Sequence, residues 1–533
     1  MNSKMKAASK LLLLALMMGT LSNAQEMTKK EKKVLNWYNG TKYGMSTDKA
    51  YKKLLKGRKS ETVVIGVIDS GVDIEHKDLK DIIWVNKGEI AGNGIDDDKN
   101  GYIDDVHGWN FLGNANGSNA NAAQLEVTRT LVRLNKKFEG RELKDICGEE
   151  LAEYTKYLEV KQKVEGNVAR AQQRKAAFSA NAEFLFDADK KMKEAYGDDY
   201  GKKDIKKALK DPKMTKVAEA VQELRESEIT QEYVTDVNHY FDSQINSYYN
   251  VNFNEDANII GDNRSDINDT KYGNNDVEGP DAMHGTHCAG ISAALRGNKY
   301  GNDGVADNAV IMSIRTIPNG DERDKDVALA IRYAVDNGAQ VVNMSYGKSY
   351  GENDQIVIDA IRYAEEKGVL LVHAAGNDAS DVDIEPRYPT SQFASMSEQF
   401  TNWLDVGAST RYKDRLAASF SNYGDVMVDV FAPGLEIYST VPQSDFQISQ
   451  GTSMAAPMVT GVAALLKSYF PHFTMIEIKD IIKESVQKFD DLETPLPGSK
   501  KNMVKFSSLS ETGGVVNVYN AVKLAIEKTE AKK

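Results

Sequence analysis

The chain has little cysteine. Only Cys147 and Cys288 occur in 533 residues, so no disulfide framework carries the fold. The two lie in very different sequence contexts, and a bridge between them is not expected. Cys288 reads as a small buried residue. Histidine is scarce as well: seven scattered residues exclude a His-rich metal tract. There is no basic excess. The net charge is -12 and the pI is near 5.3, which argues against a general nucleic-acid or anionic-membrane binder. Past the first residues no apolar run is long enough to span a bilayer, and no internal repeat is visible. The length allows one large core or two or three smaller ones.

What is present begins at the N-terminus. Lys4, Lys6 and Lys10 precede the apolar run 11–18, and Ser22-Asn23-Ala24 stands before Gln25 like a cleavage site. The run is too short for a stable anchor, and no cysteine follows it for lipid attachment. Residues 1–24 are expected to be a signal peptide, and the mature protein is expected to be periplasmic or secreted.

Residues 25–60 are polar and read as a helical extension, with Ser46 or Thr47 capping a helix over 48–55. The β-branched run 62–68 reads as a buried strand that stops at Asp69-Ser70-Gly71. Further on, 326–337 and 354–367 read as helices that end at Gly338 and Gly368. The runs 340–344 and 369–373 read as buried strands. Strand–helix–strand units with short connections imply right-handed crossovers and a parallel sheet with helices on both faces. Ligands of such sheets gather at the carboxyl ends of strands. Asp69, Ser345 and Asn377 all fall just past expected strand ends.

The segment 115–250 differs in character. It is rich in Lys, Glu and Ala and poor in Gly and Pro. Val160, Val164, Val168 and Ala171, and then Met214, Val217, Val221 and Leu224, recur at helical spacing on one face. A helical insertion packed as a hairpin is expected, either peripheral or reaching over the cleft. The main α/β domain would then span 61–114 and 251–525, with a polar tail over 526–533.

Three strings carry the chemistry: Asp69-Ser70-Gly71-Val72-Asp73, His284-Gly285-Thr286-His287-Cys288-Ala289-Gly290 and Gly451-Thr452-Ser453-Met454-Ala455-Ala456-Pro457. A serine hydroxyl attacks an acyl carbon only when a base takes its proton. Imidazole suits that role near neutral pH, and a carboxylate behind it sets the tautomer. Ser453, His284 and Asp69 are candidates for nucleophile, base and orienting acid. His284 and Ser453 each open a helical stretch, so the Ser453 N–H falls among free first-turn donors. Asn377, in Ala374-Ala375-Gly376-Asn377, can supply a second oxyanion donor. His287 reads as a packing residue.

These motifs resemble those of the subtilases, the subtilisin-like serine peptidases, in type and in chain order. The resemblance covers roughly 60–110 and 275–525. It implies a three-layer α/β/α sandwich with a mainly parallel sheet, an endopeptidase activity on proteins or peptides, and an oxyanion role for Asn377. It also implies that Ser345, Tyr346 and Gly347 offer an edge to an extended peptide. In many subtilases a sizeable inhibitory pro-domain precedes the catalytic domain. Here about 36 residues separate Gln25 from the first core strand, too few for one.

A calcium site is expected in 96–105. Asp96, Asp98, Asn100, the Tyr102 carbonyl, and Asp104 or Asp105 follow the spacing of an EF-hand loop with Gly101 at its sixth position. His107 stands where the bidentate Glu would be, so the match is partial, and a solvated Asx-rich turn is the plain alternative. By resemblance, Asp78 matches a second calcium carboxylate. The loop at 297–304, which should accompany it, differs from the usual one. The stretch 378–390 should line the specificity pocket, with Arg387 at its base or its rim. An adhesion scaffold and a peptide ligase are the rival functions. The oligomeric state is not legible.

Overall fold

The computed structural model describes residues 27–227, 229–351 and 353–532. The signal peptide expected over 1–24 lies outside the described residues. The strands are β1 (Val63–Asp69), β2 (Gly108–Asn110), β3 (Ala309–Arg315), β4 (Val341–Met344), β5 (Leu370–Ala374), β6 (Trp403–Ser409) and β7 (Val430–Pro433). They continue with β8 (Ile437–Val441), β9 (Asp445–Ser449), β10 (Gln487–Lys488), β11 (Glu493–Pro495), β12 (Met503–Lys505) and β13 (Gly514–Val515). Nine form one sheet in the order β10-β13-β7-β6-β5-β4-β1-β3-β2. Its pairings are parallel except β10 with β13. β8–β9 and β11–β12 are separate antiparallel pairs.

β1 is apolar up to Asp69, its last residue, because both faces of the sheet are covered. Val63, Ile65 and Val67 enter one core and Ile68 the other. The helices used below are α1 (Glu126–Phe138), α2 (Leu151–Tyr196), α3 (Lys202–Ala208), α4 (Thr215–Glu226), α5 (Gln231–Ser243) and α6 (Met283–Ala293). They continue with α7 (Asp324–Asp336), α8 (Asp354–Glu366), α9 (Thr452–Tyr469), α10 (Met475–Glu484) and α11 (Val518–Ala531). α6 and α9 fill the first core, α7 and α8 the second. This is the three-layer α/β/α sandwich. β1 lies between β3 and β4, where the strand order switches direction and a crevice opens at the carboxyl ends.

The segment before β1 is less helical than its polarity suggests. A short helix Lys29–Val34, a turn Trp37–Asn39 and a helix Thr47–Ala50 with one π-helical turn Tyr51–Leu55 make it up. Tyr38, Met45, Ala50 and Leu55 enter the first core. Ser46 holds the cap position at φ 61° without a side-chain cap bond; its hydroxyl accepts from Asn517 instead, at 3.4 Å. At the other end α11 runs through much of the expected tail. Lys528 pairs with Glu484 and Lys532 with Glu477 on α10.

Between β2 and α6 the helices make two further cores. Val127, Leu131, Leu134 and Phe138 of α1 meet Tyr154, Tyr157, Val160 and Val164 of α2. α2 has 46 residues, a rod of roughly 70 Å at 1.5 Å per residue. Its far end carries Leu185, Ala188 and Met192, which pack with Ile205, Ala208, Ala218, Val221 and Leu224 of α3 and α4.

Candidate active site

Asp69 closes β1 and His284 is the second residue of α6. His284 Nδ1 lies 2.7 Å from Asp69 Oδ1, across 215 positions of sequence. Gly285 permits this approach: a Cβ there would lie 2.1 Å from the Gly71 carbonyl oxygen, so a larger residue would push α6 off the Asp69 loop. Thr286 Oγ1 accepts the Asp73 N–H at 2.9 Å and stitches the two motifs together. The Asp69 side chain is 2% exposed and that of His284 36%. Burial opposes a charged imidazole, but the Asp69 carboxylate outweighs it and holds the His284 pKa well above the ordinary histidine value. With Nδ1 donating to Asp69, Nε2 of the neutral ring is the acceptor.

Ser453 is the second residue of α9, behind Gly451 at φ 148°, a conformation glycine adopts without steric cost. Ser453 Oγ donates to the Ser345 carbonyl at 3.2 Å. Among the described residues it makes no hydrogen bond to His284; such bonds are often loose before substrate arrives. The Ser453 carbonyl accepts from Ser345 Oγ at 2.9 Å and from Cys288 Sγ at 3.3 Å. Asn343 Nδ2 donates to Ser345 Oγ at 2.9 Å. β4, α6 and α9 are thereby locked around the Ser453 backbone.

Asn377 follows β5. Its Oδ1 accepts the Thr452 N–H at 2.8 Å and Thr452 Oγ1 at 3.1 Å. A backbone N–H can only donate, so the amide must turn its oxygen to Thr452 and its NH2 away. Asn377, Ser345, Tyr346, Gly347, Arg387 and Ser453 share the lining of a pocket of about 220 Å³. Sequence reasoning misses Thr452; its place beside Ser453 is the only signal. His287 is buried, with Nε2 3.1 Å from the Gln447 carbonyl. Burial lowers its pKa to about 4, so the ring is neutral. Cys147 and Cys288 are both free, the first exposed and the second buried.

The acidic loop is rearranged relative to expectation. Carboxylate oxygens of Asp96 and Asp98 converge with one from Glu89, all within 4.8 Å of one another. Glu89 carries no sequence signal, since it precedes the loop. Asp104 is outside this group: its carboxylate accepts the N–H groups of Gly92, Asn93 and Gly94, as Glu89 accepts those of Asp97, Asp98 and Asp104. Asp105 bonds Tyr333 Oη at 2.6 Å and the amides of Asn86 and Asn100. Asn100 Oδ1 is taken by the Tyr102 N–H, and the Tyr102 ring packs on Trp109 and Tyr333. Asp78 is buried elsewhere, beneath the 297–304 loop, where Asn298 Nδ2 donates to its Oδ1 at 2.5 Å. Its Oδ2 is buried without a partner, and burial pushes its pKa up to about 6.

The chain belongs to the subtilase family, whose sequence model matches residues 60–509. It is 40% identical over 212 residues to the thermophilic serine proteinase of Bacillus sp. (strain AK1), covering 40% of this chain and 48% of that protein. It is 44% identical over 186 residues to thermitase of Thermoactinomyces vulgaris, covering 35% and 61%. It is 35% identical over 230 residues to the cell wall-associated protease of Bacillus subtilis (strain 168), covering 43% and 24%. The chain spans about half the length of the first two of these curated relatives. No helix among the described residues is long and apolar enough to cross a membrane.

Proposed function

We propose that the chain is an exported serine endopeptidase. The observation that carries this is the His284–Asp69 contact of 2.7 Å beside a pocket that Ser453 and Asn377 both line. Ser453 Oγ attacks the scissile carbonyl carbon while its proton passes to His284 Nε2. Asp69 orients the ring and stabilises the imidazolium. The oxyanion is received by the Ser453 N–H and Asn377 Nδ2. His284 then gives the proton to the leaving amine, and water releases the acyl group by the reverse sequence. The 345–347 edge holds the peptide extended. Family membership supports this reading, as do the basic and apolar leader and the small residues before Gln25.

Calcium is a structural cofactor in this reading. Glu89, Asp96 and Asp98 supply hard oxygen ligands on one side of the loop. Asp78, with one buried oxygen unpartnered among the described residues, is the carboxylate that fits a second cation. The domain division is also part of the proposal: a peptidase body over 61–114 and 251–525 with an inserted helical segment over 115–250.

The test is fluorophosphonate labelling with casein hydrolysis. The wild type reacts at Ser453 and cleaves; Ser453→Ala does neither. Casein cleavage by Ser453→Ala at the wild-type rate would refute the mechanism. A folded wild type that takes no label is a scaffold. Joined peptides in the mass spectrum, in place of hydrolysed ones, identify a ligase. N-terminal sequencing of protein recovered outside the cytoplasm checks cleavage after Ala24. A rise in thermal midpoint on adding calcium, lost in Asp98→Ala or Asp78→Asn, checks the cation.

A further inference from the structure

The pocket beside Ser453 lies between the 345–347 edge and Gly376, Asn377 and Asp378. A peptide whose carbonyl carbon meets Ser453 Oγ, with its oxygen toward Asn377, directs the side chain before the scissile bond into this pocket. The walls are mostly small or polar, with the Tyr346 ring the one large group that carries apolar surface. Such walls give a leucine or phenylalanine side chain little apolar contact. One cation reaches the pocket, Arg387, whose side chain is 21% exposed.

The donors of its guanidinium are unevenly used. Nη1 donates to Ser349 Oγ at 2.5 Å and pairs with Asp378 at 3.2 Å. Among the described residues Nη2 reaches only the Gly347 carbonyl, at 3.4 Å, beyond the usual range for such a bond. Nε is buried and has no partner among the described residues. It lies 3.5 Å from where a Cβ on Gly376 would stand, against the wall of the pocket. A buried N–H without an acceptor is costly and calls for an explanation. Nε and Nη2 form one edge of the guanidinium, the fork that a carboxylate fills with two parallel hydrogen bonds. Asp378 occupies the other side, and at 49% exposure its ion pair is weak and screened.

We propose that Arg387 makes this pocket select an acidic residue, Glu or Asp, immediately before the scissile bond, through a bidentate contact of Nε and Nη2 with the side-chain carboxylate. This rests on the peptidase reading of the site. An uncharged isostere leaves the same fork half filled, so the discrimination falls between Glu and Gln as well as between Glu and Leu.

The experiment uses the full chain and peptides that differ only in the residue before the scissile bond: Glu, Gln, Leu or Lys. For the wild type, kcat/KM for Glu should exceed that for Gln and Leu by roughly tenfold or more. Arg387→Leu should bring the Glu-to-Gln ratio near one. Arg387→Lys, which keeps the charge but not the fork, should give a ratio between the two. Arg387→Glu should turn the preference toward Lys. A Glu-to-Gln ratio near one in the wild type, or an unchanged ratio in Arg387→Leu, overturns the proposal. If Ser453 takes the fluorophosphonate but Leu is cleaved faster than Glu, acidic selection fails and the peptidase reading stands. A wild type that neither labels nor cleaves overturns both.

Discussion

Glu126→Gln removes one charge from the buried joint between α1 and the segment that follows β4. Lys348 directly follows Gly347, and the side chains of Lys348 and Glu126 are 1% and 0% exposed. Lys348 Nζ lies 3.0 Å from Glu126 Oε2 and 2.6 Å from Asp324 Oδ1, and donates to the Glu322 carbonyl at 3.2 Å. Arg129 pairs with the same Glu126 carboxylate. Burial alone would raise the Glu126 pKa; Arg129 and Lys348 outweigh it and lower the value from 4.5 to about 2. That displacement corresponds to roughly 3 kcal/mol, within the ~3–5 kcal/mol lost when one partner of a buried pair is removed. The assay is urea unfolding in a Ser453→Ala background, which prevents self-cleavage. At pH 7 Glu126→Gln should lose about 3 kcal/mol at unchanged slope. Because the folded pKa is depressed, this stability is present above about 4.5 and lost as pH falls toward 2. The gap between the two proteins should therefore close over that window. A loss below about 0.5 kcal/mol at pH 7, typical of ordinary surface substitutions, or a gap that ignores pH, would refute the reasoning. Adding Lys348→Met should cost less than the sum of the single changes, since the two share one network.

Three further outcomes follow from the site. The acidic limb of the kcat/KM profile should lie above about 6.5, because Asp69 holds the His284 pKa up and only the neutral ring accepts the proton. Asp69→Asn should move that limb to lower pH and reduce kcat on the order of 10⁴-fold; a limb that stays put removes Asp69 as the cause. Asn377→Ala should lower kcat by about 10²–10³-fold with little change in KM, measured on a single peptide; a change confined to KM would mean that Asn377 binds substrate and not the oxyanion. Cys288 Sγ is 4.0 Å from His284 Nδ1, and burial raises its pKa. A small methylthiolating reagent should therefore inactivate slowly, faster at alkaline pH, with Cys288→Ala resistant; equal inactivation of both would point to another target.

Much of the sheet is legible along the chain. β1, β4 and β5 are mainly apolar runs, broken only by Asn343 in β4, His373 in β5 and Asp69 at the end of β1, since a strand covered on both faces is built chiefly of apolar residues. The helices of the 115–250 segment announce themselves by spacing, as Val160 and Val164 do in one core and Val221 and Leu224 in another. Less legible are places where a neighbour overrides local preference. Ser46 looks like a cap, but its hydroxyl is taken up by Asn517. Asp104 looks like a cation ligand, but three backbone N–H groups claim it.

By itself the sequence determined the family, the sheet class and the candidate acid, imidazole, hydroxyl and amide, because each sits in a short string whose small residues serve a tight local geometry. Only the tertiary structure decided how they face one another. The Asp69–His284 contact spans 215 positions. Thr452 sets the direction of the Asn377 amide. Glu89 joins Asp96 and Asp98, Glu126 meets Lys348, and Arg387 turns an unfilled edge to the pocket wall. Apart from the Glu89 group, which closes within one loop, these are pairings between segments far apart in sequence, and no local period or motif records them.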